Sequence, residues 1–313
     1  MTLTGEHVLV TGGAGFVGSH VTTELLTHNA DVSVLDNTFA GERDHVPDGV
    51  EFYDIDIRDQ GAVTRAVQEI NPSVIIHLAA IHYIPYCNEN PEEAFDVNVI
   101  GTRNLLEAAR ELTNLEKLVY TSTAAVYPPR DEAHSETDAE EPMDIYGRTK
   151  LVGEDLVKLF AMETGVPSVS ARLFNIYGEN ETNPHLIPAI VEQLDAEADE
   201  HDVELGNLSP KRDFIYVEDV ANALVTLAIE FEGEYRAYNV GTGRSHSVRT
   251  VVEKVEAALD EKINLQQDEE RVRESDRPNL RADTNRIRQE TSWTPRTEFV
   301  DGLGRLLEER GLK

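Results

Sequence analysis

Through the first half of the chain, short apolar runs alternate with longer amphipathic stretches. The runs HVLVTG (7–12), DVSVLDN (31–37), VEFYDID (50–56), SVIIHLAA (73–80), KLVYTST (117–123) and SVSARLFN (168–175) are rich in β-branched residues. Runs apolar on both faces predict strands buried on both sides, as in a parallel sheet. Between them, FVGSHVTTELLTHN and NVIGTRNLLEAARELT carry helical spacing. Strand–helix alternation of this kind predicts an α/β architecture, a doubly wound parallel sheet covered on both faces. After about residue 178 the rhythm breaks: prolines 184, 188, 210, 278 and 295 mark turns and the strands shorten. A smaller C-terminal region is expected there, over the carboxyl ends of the strands, where ligands bind in such folds. No internal repeat is present.

Composition narrows the setting. The chain has 313 residues, enough for a full core, with 40% hydrophobic content. No run approaches the ~18–20 apolar residues of a membrane span. The opening MTLTGEHVLV lacks the charged-then-apolar layout of a secretory signal, so a cytoplasmic protein is expected. The single cysteine, Cys87, excludes an internal disulfide and a multi-cysteine zinc site, and no metal site is expected. Charge is the extreme feature: 59 acids against 28 bases, a net −31, with arginine outnumbering lysine. Acidic blocks such as EQLDAEADEHDVE (192–204) lie between structured-looking segments and read as solvated surface. The pattern resembles proteins adapted to high salt, where a Debye length of ~3 Å at 1 M screens self-repulsion. A surface this acidic repels phosphate, which argues against nucleic acid as a ligand.

The candidate chemistry begins at VLVTGGAGFVGSH, with Gly12, Gly15 and Gly18 between a predicted strand and helix. One glycine makes the tight turn, one lets the backbone approach a pyrophosphate, and one lets helix and strand pack closely. The helix N-terminus offers N–H donors and a favourable dipole. Asp36 ends the next strand 21 residues after Gly15, the place of an acid that accepts from both ribose hydroxyls. It would repel a 2′-phosphate, and NTFAGER offers no base before Arg43. NAD is therefore expected rather than NADP, on a Rossmann-type sheet.

A second constellation lies in IYGRTKLVGEDLVKLFAMETG. Tyr146 and Lys150 stand four apart, on one face of a helix. A tyrosine of pKa ~10 is a poor base at neutral pH, and an adjacent ammonium stabilises its phenolate. Thr123 ends the preceding apolar strand and offers a hydroxyl.

With these residues in place the chain resembles the extended short-chain dehydrogenase/reductase family, the sugar-nucleotide epimerases and dehydratases. The likeness runs nearly end to end: TGGAGFVGSH, LDN, DIRD (56–59), IHLAA (76–80), NVIGTRNLLEAA (98–109), YGRTK, ARLFNIYG (171–178), KRDFIYVEDVA (211–221), YNVGTG (238–243) and SWTPRTEFVDGL (292–303). The resemblance implies an NAD-binding domain over 1–178, with 214–237 packing back on it. Segments 179–213 and 238–313 would then form the nucleotide-sugar-binding domain. It implies that Asp56 and Ile57 flank the adenine, that Leu78, Ala79 and Ala80 line the cofactor cleft, and that His82 and Asn98 sit near the pyrophosphate or nicotinamide ribose. Phe16, Val17, Asn37 and Leu173 complete the implied cofactor set. His82 departs from the family, where many 4-epimerases carry lysine.

Within that family the residues after Thr123 sort the chemistry. The 4,6-dehydratases carry Asp-Glu there, because removing water needs an extra acid and base. Decarboxylases keep a glutamate in this stretch, and the GDP-sugar epimerase-reductases a reactive cysteine. This chain has Ala124 and Ala125. One tyrosine base, one hydroxyl and a hydride acceptor suffice for reversible oxidation at one carbinol carbon. The expected activity is NAD-dependent epimerisation of a nucleotide sugar, UDP-glucose and UDP-galactose at C4, through a transient 4-keto sugar. The alternatives are another NAD-dependent sugar-nucleotide epimerase, reductase or dehydratase, with the missing acid on another loop, and a non-catalytic NAD-binding regulator.

Binding a sugar nucleotide in so acidic a chain needs local bases. By the resemblance these are Arg212 and Arg273, whose guanidinium forks suit phosphate oxygens. Asp276 would hold the nucleotide ribose, and Asn175 and His185 would contact substrate. Leu280 falls where some hexose 4-epimerases have a bulky tyrosine, leaving room for N-acetylated hexosamines. A homodimer through the helices around 94–112 and 147–164 is also implied, although EEAF and GEDLVK do not advertise an apolar patch.

Overall fold

The computed structural model describes residues 2–198, 200–269 and 278–313. The first half contains β1 (His7–Thr11), α1 (Phe16–Thr27), β2 (Asp31–Asp36), β3 (Glu51–Asp54), α2 (Gln60–Ile70), β4 (Val74–His77), α3 (Ile84–Glu89), α4 (Pro91–Phe95), α5 (Thr102–Arg110), β5 (Lys117–Thr123), α6 (Ile145–Thr164) and β6 (Ser168–Leu173). The second half adds β7 (Asn175–Tyr177), α7 (Leu186–Val191), β8 (Glu200–Leu205), β9 (Lys211–Tyr216), α8 (Val217–Glu230), β10 (Tyr235–Val240), β11 (Ser245–Ser247), α9 (Val248–Leu259), β12 (Lys262–Gln267), β13 (Asn279–Leu280), α10 (Asn285–Glu290) and α11 (Phe299–Glu309).

Seven strands form one parallel sheet in the order β10-β6-β5-β4-β1-β2-β3. Strand β1 shows why it is parallel and covered on both sides. Val8 and Val10 point into a core with Val21 and Leu25 of α1 and Leu224 of α8, whereas Leu9 points into another with α2, α5 and α6. Side chains alternate across a strand, so a continuous apolar run needs a layer on each face. The strand order reverses beside β1, and the crevice this opens at the carboxyl ends is where ligands bind in such sheets.

The second half supplies a smaller layer. Strand β9 pairs with β7 and β13 in parallel and with β11 antiparallel, while β8 pairs with β12. Phe214, Val251, Val255, Leu303 and Leu307 form its core with α7, α9 and α11. The acidic block 192–204 runs into β8, where His201, Val203 and Leu205 turn inward and Glu200, Asp202 and Glu204 face solvent. The two layers share chain segments. Helix α8 packs with α1, strand β10 carries residues 238–240 into the large sheet, and Ile287 and Trp293 belong to the large sheet's core.

A buried ionic cluster ties α6 to β6. Arg172 is 2% exposed; its Nε donates to Glu154 Oε1 at 2.9 Å, its Nη2 to Oε2 at 2.6 Å, and its Nη1 to the Tyr127 hydroxyl at 2.9 Å. Glu140 pairs with it as well, and Ser122 donates to Glu154. Removing one member leaves an uncompensated buried charge, which costs about 3–5 kcal/mol. Arg172→Ala is expected to lose that much stability in chemical denaturation, and Arg172→Met with Glu154→Leu to regain most of it.

Candidate active site

A cleft of about 1130 Å³ lies over the carboxyl ends of the large sheet and under the smaller layer. Its floor begins with the glycine loop. The chain turns after β1 at Gly12, in the left-handed region at φ 75°, and a Cβ there would stand 2.6 Å from Ala79 N. A Cβ on Gly18 would stand 2.0 Å from Gly12 O, so β1 and α1 approach only because both side chains are absent. Gly15 is the N-cap of α1 and no side chain caps the helix, which leaves first-turn N–H groups aimed at the cleft. Phe16, Val17 and Gly18 line it.

Asp36 stands beside this loop, with Oδ2 accepting from Ala14 N at 3.0 Å and Oδ1 from Thr38 N at 2.7 Å. Burial pushes its carboxyl above the ordinary range, and the backbone donors pull it back. Gly41 went unremarked in the sequence; a Cβ there would stand 2.2 Å from Ala14 O, so the loop after β2 presses directly on the glycine turn. At the far end Asn37 donates to Asp56 at 3.3 Å, and Arg58 pairs with Asp56 at 2.6 Å and with Glu93 at 3.4 Å. The Arg58 hydrogen bonds hold the Asp56 carboxyl below its usual range. Arg58 lies within DIRD yet was not singled out. Arg43, the first base after Asp36, stacks on Phe52 at 4.6 Å and is not on the cleft wall. The cradle thus fits a dinucleotide with a free 2′-hydroxyl.

Ile57, Leu78, Ala79, Ala80, His82 and Leu173 also line the cleft. Asn98 does not. It is 1% exposed in the π-helical segment Asp96–Gly101, accepts from Ile81 N at 2.7 Å, and donates to Ile81 O at 2.9 Å and Thr149 Oγ1 at 3.0 Å. Both amide hydrogens are consumed, which pins the loop after β4 to α6.

Thr123, Tyr146 and Lys150 converge on the cleft from β5 and α6. Asp144 caps α6 by accepting from Gly147 N at 2.7 Å, which sets where the tyrosine begins the helix. Thr123 Oγ1 accepts from Ala125 N at 3.1 Å, and the side chains of Thr123 and Tyr146 share one wall of the cleft. Burial drives the phenol's pKa up and the Thr123 contact lowers it. Lys150 is 2% exposed, its Nζ 4.2 Å from the Tyr120 ring centroid. Burial brings its pKa down to about 7, and the Glu154 carboxylate one turn on opposes that fall.

Ala124 and Ala125 form a short 3₁₀ turn capped by Thr123, buried under the first turn of α6. Leu280, 7% exposed, packs in the same cluster as Ala124, Val126 and Phe174. Asn175, His185 and Arg212 line the opposite part of the cleft. Asp213, beside Arg212, is fully buried and accepts from the backbone of Thr242, Gly243 and Ala282, which fixes the loops around that strand. Arg273 and Asp276 lie outside the described residues. Glu181 had no sequence cue; it is buried on the cleft wall, and burial pushes its carboxyl up to about 7.

The model of the NAD dependent epimerase/dehydratase family matches residues 8–241. The chain belongs to that family. NAD is its cofactor. The chain is 32% identical over 303 residues to the UDP-glucose 4-epimerase of Corynebacterium glutamicum, covering 92% of this chain and 90% of that one. Among solved structures it resembles the Thermus thermophilus UDP-glucose 4-epimerase in complex with NAD, at 33% identity and a TM-score of 0.85 over 96% of this chain and 97% of that one. The Thermotoga maritima UDP-glucose 4-epimerase with UDP-glucose aligns at 26% identity and a TM-score of 0.88, over 98% and 99%.

The lysine of this epimerase/dehydratase fold yields a pH signature. Unfolded Lys150 keeps its proton to about 10.5 and the buried one releases it near 7. Between those values the unfolded chain binds the extra proton, so stability rises with pH, by up to ~1.4 kcal/mol per unit for one proton. Chemical denaturation of nucleotide-stripped protein at stepped pH above 7 is expected to show this rise, and Lys150→Met a shallower one.

Proposed function

We propose that this enzyme interconverts C4 epimers of a UDP-hexose, UDP-glucose and UDP-galactose, through a 4-keto sugar. The observation that carries the reading is the convergence of Thr123, Tyr146 and Lys150 on the cleft beside a turn in which Ala124 and Ala125 have no ionisable group. Thr123 orients the C4 hydroxyl and Tyr146 takes its proton, then returns it to the opposite epimer. Lys150 supplies positive charge near the phenolate, and Glu154 opposes the loss of that charge. NAD supplies a hydride acceptor that becomes the donor, and it leaves each turnover as it entered. Rotation of the keto sugar needs an uncrowded pocket, which Leu280 and the alanines provide. The names of the relatives support the substrate class.

The surrounding assignments belong to the same reading. Arg212 and Arg273 hold the diphosphate, Asp276 the nucleotide ribose, and Asn175 and His185 the substrate. The large-sheet layer binds NAD and the smaller layer the nucleotide sugar. The protein is a cytoplasmic homodimer adapted to high salt. No helix among the described residues is long and apolar enough to cross a membrane. Phe95, Ile100, Val152, Leu159 and Met162, five of the nine exposed large hydrophobics among the described residues, fall on the helices around 94–112 and 147–164, which supports pairing there despite the charged look of those segments. Loss of water from the sugar is the second reading, because Glu181 is a buried acid on the cleft wall.

A proton NMR time course in concentrated KCl, with UDP-glucose or UDP-galactose and no added NAD, tests the proposal. C4 epimers are expected to interconvert; a keto-deoxy sugar would replace epimerisation by dehydration. Tyr146→Phe is expected to lower turnover ~10²–10⁴-fold while bound NAD is retained. The N-acetylhexosamine nucleotides are expected to react as well, and Leu280→Tyr to suppress them more than the plain hexoses.

A further inference from the structure

Two loops that line the cleft bring three metal-ligating side chains together. His82 follows β4, and Glu181 and His185 lie between β7 and α7. One ligand atom from each lies within 4.8 Å of the other two. Zinc held by histidine and carboxylate at about 2.0–2.2 Å sets neighbouring tetrahedral ligands about 3.4 Å apart. Binding an ion would draw the three ligand atoms together by up to about 1.4 Å.

The cluster is oriented from outside by one residue. Asn183 Nδ2 stands 3.1 Å from His82 Nε2, and the Asn183 backbone N–H donates to Glu181 Oε1 at 3.0 Å. The backbone contact orients the Glu181 carboxylate, while the amide donates to His82 Nε2, so a cation bound at that ring takes the place of this donor or of the ring's own proton. Glu181 is 7% exposed, and no lysine or arginine among the described residues pairs with it. Burying a carboxylate without a cationic partner is costly, and a dication between it and two imidazoles supplies the missing charge. The donor set also selects the ion: imidazoles suit zinc-like cations, whereas magnesium and calcium take oxygen ligands.

We propose that His82, Glu181 and His185 form a binding site for a divalent transition cation of the zinc class, with a further coordination position open to the cleft. The bound ion joins the segment after β4 to the loop after β7, and so ties together two parts of the wall around the catalytic residues. The sequence conceals the site because its ligands come from distant segments and from no spaced motif.

The test is titration of the full-length, EDTA-treated holoenzyme with Co²⁺, followed by its visible d–d absorption. One Co²⁺ per chain is expected, displaced by Zn²⁺. Glu181→Gln and His82→Ala are expected to abolish the band. His201→Ala, which removes another histidine–glutamate contact at 2.7 Å from Glu261, is expected to leave it intact. Circular dichroism establishes that each variant is folded. No band in the folded wild type, or a band that survives both Glu181→Gln and His82→Ala, overturns the proposal.

Discussion

A buried lysine whose charge burial opposes is the constraint on which this structure turns. Lys150 sits under the cleft with almost no contact with water, and burial alone favours its neutral form. Its opposing partner is Glu154, four residues on along α6 and itself buried. A carboxylate in that place needs further support, which comes from Arg172 and Ser122. The chain of dependence reaches Tyr127 and Asn239, joined at 2.8 Å, so strands β5, β6 and β10 are all committed to one charge on one helix. The cluster explains why an arginine occupies the interior of β6, where an apolar residue would otherwise be at home.

The same economy governs the cofactor side. At Gly12, Gly18 and Gly41 an added Cβ would strike backbone at 2.0–2.6 Å, which brings the turn, the first helix and the loop after β2 into contact. That contact orients Asp36 through the backbone of Ala14. Binding and folding here draw on one set of close approaches. Outside the cleft the surface is overwhelmingly acidic, with a formal charge of −31. An anionic ligand therefore has to be met by local groups, such as the N–H donors of a helix start.

Much of this was legible in the chain itself. The strands of the first half fall within a residue or two of the apolar runs, except that VEFYDID and SVIIHLAA pair over only four residues each. The glycine spacing, Asp36 and the Tyr146–Lys150 pair are local patterns, set by what a strand–turn–helix or one helical face requires. The bracing of the loop after β4 by Asn98 was not legible, because its partners Ile81 and Thr149 are brought from elsewhere in the chain. The roles of Gly41, Arg58 and Glu181 were missed because each depends on a neighbour brought from elsewhere.

The sequence by itself therefore determined the α/β class, the dinucleotide loop and the tyrosine–lysine–threonine set, since these arise from periodicity and short spacing. Tertiary structure alone decided that Ala124 and Ala125 form a capped turn beside Leu280, that Arg172 supports Glu154, and that His82 meets Glu181 and His185. The physical reason is range: periodicity is imposed by the backbone over a few residues, whereas burial, charge compensation and ligand geometry are properties of neighbours that only the packed chain brings together.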